Sequence, residues 1–169
     1  MQEIINSIKS CLDKFLFSVC IFIMVVLVID VTWQVLSRYV VGEPSLYTDE
    51  AARFLMVWLT FLGGAYMFGS DSHLSVSSLR DMMPAKMQNT LFVFTYLLIG
   101  AFAVLVMIMG SQRLILRTIS QPSPSLGIPM GYFYSILPIS AVFIIIYMIL
   151  NLGEMFYKSK AVIKNKEQK

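Results

Sequence analysis

Four long apolar blocks separated by short polar segments dominate the chain, at about residues 15–37, 51–68, 91–109 and 132–156. Blocks of this length match the ~20 residues a helix needs to cross a hydrocarbon core about 30 Å thick. The pattern predicts an all-α integral membrane fold of four transmembrane helices. Residues 1–169 form one domain in this reading, because no polar stretch between blocks is long enough for a soluble core. Ahead of the first block, Ile4, Ile5, Ile8 and Leu12 recur near one helical face, which predicts a short amphipathic helix over 1–14 in the interface. Leu74, Leu79, Met82 and Met83 predict a second interfacial helix in the polar segment 69–84.

The second block is unusual. From Phe54 to Phe68 only fifteen residues are free of charge, roughly 22 Å of helix. Immediately before them stand Tyr47, Thr48, Asp49, Glu50 and Arg53. Asp49 precedes Arg53 by four positions and Glu50 by three, so on a helix both carboxylates share a face with the guanidinium. Thr48 is placed to cap this helix, and two acids in its first turn complement the positive end of the macrodipole. A span this short draws its charges towards the bilayer, where an unpaired ion is costly and faces protein. The cluster is therefore expected to make an ion-paired contact with another helix or a second protein.

In the first block Asp30, Gln34, Ser37 and Arg38 fall on one helical stripe. An acid within a span is either an ion or proton site or the partner of a cation across a helix interface. Few other polar groups converge with it, which favours pairing, and Arg53 is the intrachain candidate. Gly42 and Pro44 break the chain after this block, and the segment that follows is expected along the outer interface. Ala65 and Gly69 form a pair that permits close helix packing, while Trp58 and Phe61 read as lipid or helix contacts. Three prolines and two glycines within 120–131 predict a rigid outer loop. Pro138 is placed to kink the fourth helix, and Asn151 and Glu154 lie near its inner end.

Composition narrows the chemistry. The chain is 57% hydrophobic and 14% charged, far more apolar than a soluble domain. Cys11 and Cys20 form neither a disulfide framework nor a zinc pattern, so no metal or cofactor is expected. His73 is the single histidine and is expected to hydrogen-bond as a cap; an enzyme would need it clustered with a nucleophile or other acids. The net charge of +3 lacks aromatic-interleaved basic patches, which excludes nucleic acid as a partner and leaves membrane lipid. Nine of the thirteen basic residues fall on the side shared by both termini, counting Arg80 and Lys86 in the middle loop; Arg38, Arg53, Arg113 and Arg117 fall on the other. Both termini are thus expected in the cytoplasm, with the first span acting as an uncleaved signal anchor.

Three motifs in order then carry a resemblance. Tyr47, Asp49, Glu50 and Arg53 match an aromatic-x-acid-acid-x-x-Arg pattern. His73, Leu74 and Val76, followed by Leu79 and Pro84, match a loop pattern, and Leu126, Gly127, Ile128 and Pro129 match a Leu-Gly-Ile-Pro turn. The chain resembles the small membrane (DctQ-like) component of tripartite ATP-independent periplasmic, or TRAP, transporters, most closely the sialic acid version. Tyr47 stands where that family often has Trp, Asp49 where it often has Glu, and Ser77 where an acid is frequent. The resemblance implies a bacterial inner-membrane scaffold for a large multi-span subunit, with a periplasmic binding protein delivering substrate and a sodium gradient driving uptake. It also implies contact roles for Tyr47, Asp49, Glu50, Arg53, His73, Leu126, Gly127 and Pro129, beside Asp30 and Arg38. The alternative is a self-contained homo-oligomeric transporter or channel built around Asp30, similar to compact four-span multidrug exporters.

Overall fold

A computed structural model describes residues 2–42, 45–69 and 85–167. Helix α1 runs Gln2–Leu36 and continues through a π-helical turn at Ser37–Val41. The sequence has neither glycine nor proline between residues 2 and 41, so nothing separates the expected interfacial segment from the span. The two are one helix, and the expected break near residue 14 is absent. Gly42, at φ +82°, ends it, its N–H closing on the Ser37 carbonyl at 3.0 Å.

Helix α2 spans Leu46–Gly69. It begins soon after Pro44, so the residues expected to lie along the interface are the first turns of the span itself. Thr48 is not the cap: it sits inside the first turn and donates its hydroxyl to the Ser45 carbonyl at 3.0 Å.

The third span is α3 (Ala85–Phe102), a π-helical stretch Ala103–Gly110, and α4 (Ser111–Thr118), end to end. It passes the expected limit at residue 109 because Arg113 and Arg117 are helix-compatible and the first breaker is Pro122. Helix α5 (Met130–Tyr134) and helix α6 (Ile136–Glu167) make the fourth span, with a turn at Ser135 between them. Pro138 accounts for the break. It has no N–H for the Tyr134 carbonyl four residues earlier, so the chain interrupts there rather than bending mid-span.

Helix α1 packs on α2, α2 on α6, and α6 on the third span. Helices α2 and α6 are therefore central. One apolar cluster joins Leu16 and Ile23 of α1 to Leu62 of α2 and to Ile136 and Tyr147 of α6. The second joins Ala65 of α2, Ala103 and Met107 of the third span, and Ala141 and Ile144 of α6. On α1, Leu16, Ile23 and Ser37 are buried at seven-residue spacing, with Asp30 half-buried between them, as a helix-packing seam requires. Among the described residues, four helices are long and apolar enough to cross a membrane: Ile5–Val40, Leu46–Gly69, Val93–Thr118 and Met130–Glu154.

Candidate contact site at one end of the bundle

The acids at the start of α2 point in two directions. Asp49 pairs with Arg53 one turn on, as the i,i+4 spacing predicts, and its other oxygen accepts a hydrogen bond from Gln34 of α1 at 3.3 Å. This pair joins α2 to α1. Glu50 does not join it. Its Oε2 accepts the backbone N–H groups of Ser125 at 2.8 Å and Leu126 at 3.0 Å, in the loop between the third and fourth spans. The expected sharing of Arg53 by both carboxylates is thus corrected, because Glu50 lies about 100° round the helix from Asp49 and faces the loop.

The loop is built to present those amides. Gly127, at φ +66°, takes the left-handed conformation that a side chain resists, and its N–H bonds the Ser123 carbonyl at 3.2 Å. Successive N–H groups at such a turn form an anion-binding concavity, which the carboxylate fills. Beyond it the chain doubles back, Ser123 N–H to Ile128 C=O at 2.9 Å and Met130 N–H to Gln121 C=O at 3.0 Å. Pro122 and Pro129 stand opposite each other between these bonds, where no N–H is called for. Pro129 then leads into α5, its carbonyl accepting the Tyr132 N–H at 3.1 Å.

Two aromatic contacts extend the clamp along α2. Phe54 stacks on Phe133 of α5 with centroids 4.3 Å apart, and the Trp58 indole N–H bonds the Phe133 carbonyl at 3.3 Å. Glu50, Phe54 and Trp58 are spaced by four, so one stripe of α2 holds both the loop and α5. That spacing was the available signal, and the sequence reading missed it. Gly131 is a second signal: a Cβ there would lie 3.0 Å from the Ile119 Cα and 3.3 Å from the Ile115 carbonyl oxygen, tighter than side chains ordinarily pack, so glycine suits the close approach of α5 to the end of α4.

Asp30 does not meet Arg53. Contacts between Gln34 and Asp49 and between Phe17 and Tyr66 fix the antiparallel register of α1 and α2, and that register brings Asp30 level with Arg53. The guanidinium nevertheless turns outward to Asp49, and its side chain is 70% exposed. Asp30 Oδ2 is buried with no hydrogen-bond partner among the described residues. Arg38 and Tyr47 are both exposed, Arg38 in the π turn and Tyr47 in the first turn of α2. The expectations for His73 and for the interfacial helix around it fall on residues 70–84, outside the described residues.

The opposite end of the bundle carries a second set of polar ties. The Tyr147 hydroxyl donates to Asp13 at 2.6 Å, Lys9 pairs with Glu154 at 3.3 Å, and the Asn151 amide donates to the Tyr96 hydroxyl at 3.0 Å. Each joins α6 to another helix. Among the described residues no group of three or more His, Cys, Asp or Glu side chains is placed to hold a metal ion.

Comparison with known proteins agrees with this architecture. The model of the family described as tripartite ATP-independent periplasmic transporters, DctQ component, matches residues 27–157. The sialic acid TRAP transporter small permease protein SiaQ of Vibrio cholerae is 24% identical over 145 residues, 86% of this chain and 79% of that protein. A Haemophilus influenzae protein named as a TRAP transporter small permease is 30% identical over 134 residues, 78% of this chain and 83% of its own. The isethionate TRAP transporter permease protein DctMQ of Oleidesulfovibrio alaskensis is 25% identical over 124 residues, which are 69% of this chain and 20% of that much longer one. With four membrane-length helices and a family match over most of its length, the chain belongs to the DctQ components of TRAP transporters, as a multi-pass small permease subunit.

Proposed function

We propose that this small permease is a static scaffold for a large multi-span subunit, which carries the substrate across the bacterial inner membrane. The observation that carries the reading is how its polar groups are used. Glu50, Trp58, Tyr147 and Asn151 all bond to other helices or loops of the same chain, which fixes the frame. A moving subunit needs such a fixed neighbour. The DctMQ relative, five times the length of its matched segment, supports pairing with a larger permease part. Both termini lie in the cytoplasm by charge distribution, which places the 120–131 loop on the periplasmic side, where a substrate-binding protein docks.

The transported compound is an organic acid in this reading, sialic acid foremost because SiaQ is named for it, taken up with sodium. Isethionate is the competing substrate, named for the other relative. Uptake of labelled sialic acid by cells expressing the full transporter, with and without a sodium gradient, tests the assignment. Sodium-dependent uptake that requires this chain supports it; uptake of isethionate alone reassigns the substrate.

One observation favours a second reading. The unpartnered Asp30 oxygen is what a proton or ion site within a homo-oligomer would need. Transport by the purified chain alone in liposomes, abolished in Asp30→Asn, would establish that reading and displace the scaffold.

A further inference from the structure

The exposed faces of the spans differ in kind. On α1 the outward positions include Phe15, Phe22, Val25 and Ile29, and on the third span Phe94, Leu97, Phe102 and Leu105. These bulky apolar side chains suit lipid tails. The outward face of α2 runs Arg53, Met56, Thr60, Gly64 and Met67, with Gly63 at its edge. Between Arg53 and Met67, about 21 Å, its exposed positions include no branched aliphatic or aromatic residue and are charged, polar or small apart from the two methionines; Leu46 and Tyr47 are exposed only in the first turn.

Nothing among the described residues explains that face. A Cβ at Gly63 or Gly64 would meet no atom of the described residues within 4 Å, so packing among them does not require glycine at either position, and glycine weakens a helix. In a membrane, exposed small residues gain by letting a second helix backbone approach. Arg53 gives the independent argument. Its side chain is 70% exposed, and its partner Asp49 is itself 45% exposed, so the pair is left uncovered on the outward side. A guanidinium facing lipid is costly, whereas one facing protein acceptors is not. Methionine adds an adaptable, polarizable surface.

We propose that this α2 face is the surface on which a transmembrane helix of the large permease subunit packs, crossing closely at Gly63 and Gly64. That helix presents an oxygen acceptor to the Arg53 N–H groups not engaged by Asp49. The proposal rests on the scaffold reading of the chain and says which surface serves it.

The test places a photocrosslinking amino acid, one position at a time, at Met56, Thr60 or Met67, and for comparison at Phe22, Leu98 or Leu105. Each variant is expressed with the large subunit in its native membrane. Adducts with the combined mass of the two subunits are expected from the α2 positions and not from the comparison positions. Adducts from the comparison positions alone, or adducts between two copies of this chain from α2, would overturn the proposal. If the unmodified chain purifies without a large subunit, it is the scaffold reading that fails, and the two failures are thereby told apart. As a second measure, Gly64→Leu fits the chain's own packing and is expected to lower co-purified large subunit about tenfold. Unchanged co-purification in that variant would contradict a close crossing at this point.

Discussion

Tyr147 shows how single residues hold this bundle. Its ring is fully buried and lies where a Cβ on Gly69 would fall 2.2 Å from Cε1, so α2 and α6 meet with no room for one methyl group. A ring is stiff, and the overlap is relieved only by moving a helix. Gly69→Ala is expected to destabilise the detergent-solubilised protein by about 1–3 kcal/mol, measured by reversible unfolding in mixed micelles. The Tyr147 hydroxyl is equally specific. Tyr147→Phe keeps the packing but removes the donor to Asp13, with an expected loss of about 1.5–3 kcal/mol because the acceptor is a carboxylate. An unchanged unfolding curve for Tyr147→Phe would mean that Asp13 is hydrated rather than held.

Among the elements, the 121–130 hairpin and the N-terminal half of α2 act as one unit. Gly127→Ala forces a side chain into the left-handed region, at a cost of about 1–2 kcal/mol. It also disturbs the turn that aims the Ser125 and Leu126 amides at Glu50. In a Trp33→Phe background Trp58 is the single tryptophan, read by selective excitation at the red edge beyond tyrosine absorption, and its indole bonds α5. Gly127→Ala and Glu50→Gln are both expected to shift its emission and raise its quencher accessibility, and an unmoved spectrum would detach the loop from α2.

The helices were legible in the sequence because their apolar blocks match the bilayer, but their ends were not. Side-chain polarity marks where the membrane stops, whereas helices stop at breakers. α1 therefore runs unbroken past residue 14, and the third span runs on to Thr118. At the site the Asp49 and Arg53 pair was legible because four residues make one turn. The bond from Glu50 to Ser125, 75 residues away, follows from tertiary packing alone. Arg53 was the expected partner of Asp30, and the register does bring the two level, yet a nearer acid, Asp49, captures the guanidinium.

For the molecule as a whole, the ties at both ends make a frame whose exposed side chains are mostly apolar, and the proposed contact with a larger subunit lies on its α2 face. Arg53→Ala and Glu50→Ala are each expected to lower the yield of assembled transporter severalfold, Arg53 by exposing Asp49 at the contact and Glu50 by releasing the outer loop. Blue native electrophoresis of solubilised membranes reads this directly, and normal complex yield with normal uptake in both variants would remove the assembly role. The most direct measurement is affinity purification of the tagged chain from its native membrane in mild detergent, with identification of what accompanies it. The account predicts a large multi-span permease in equal amount; recovery of the chain alone or as a homo-oligomer would contradict it and make Asp30 the leading candidate for an ion site.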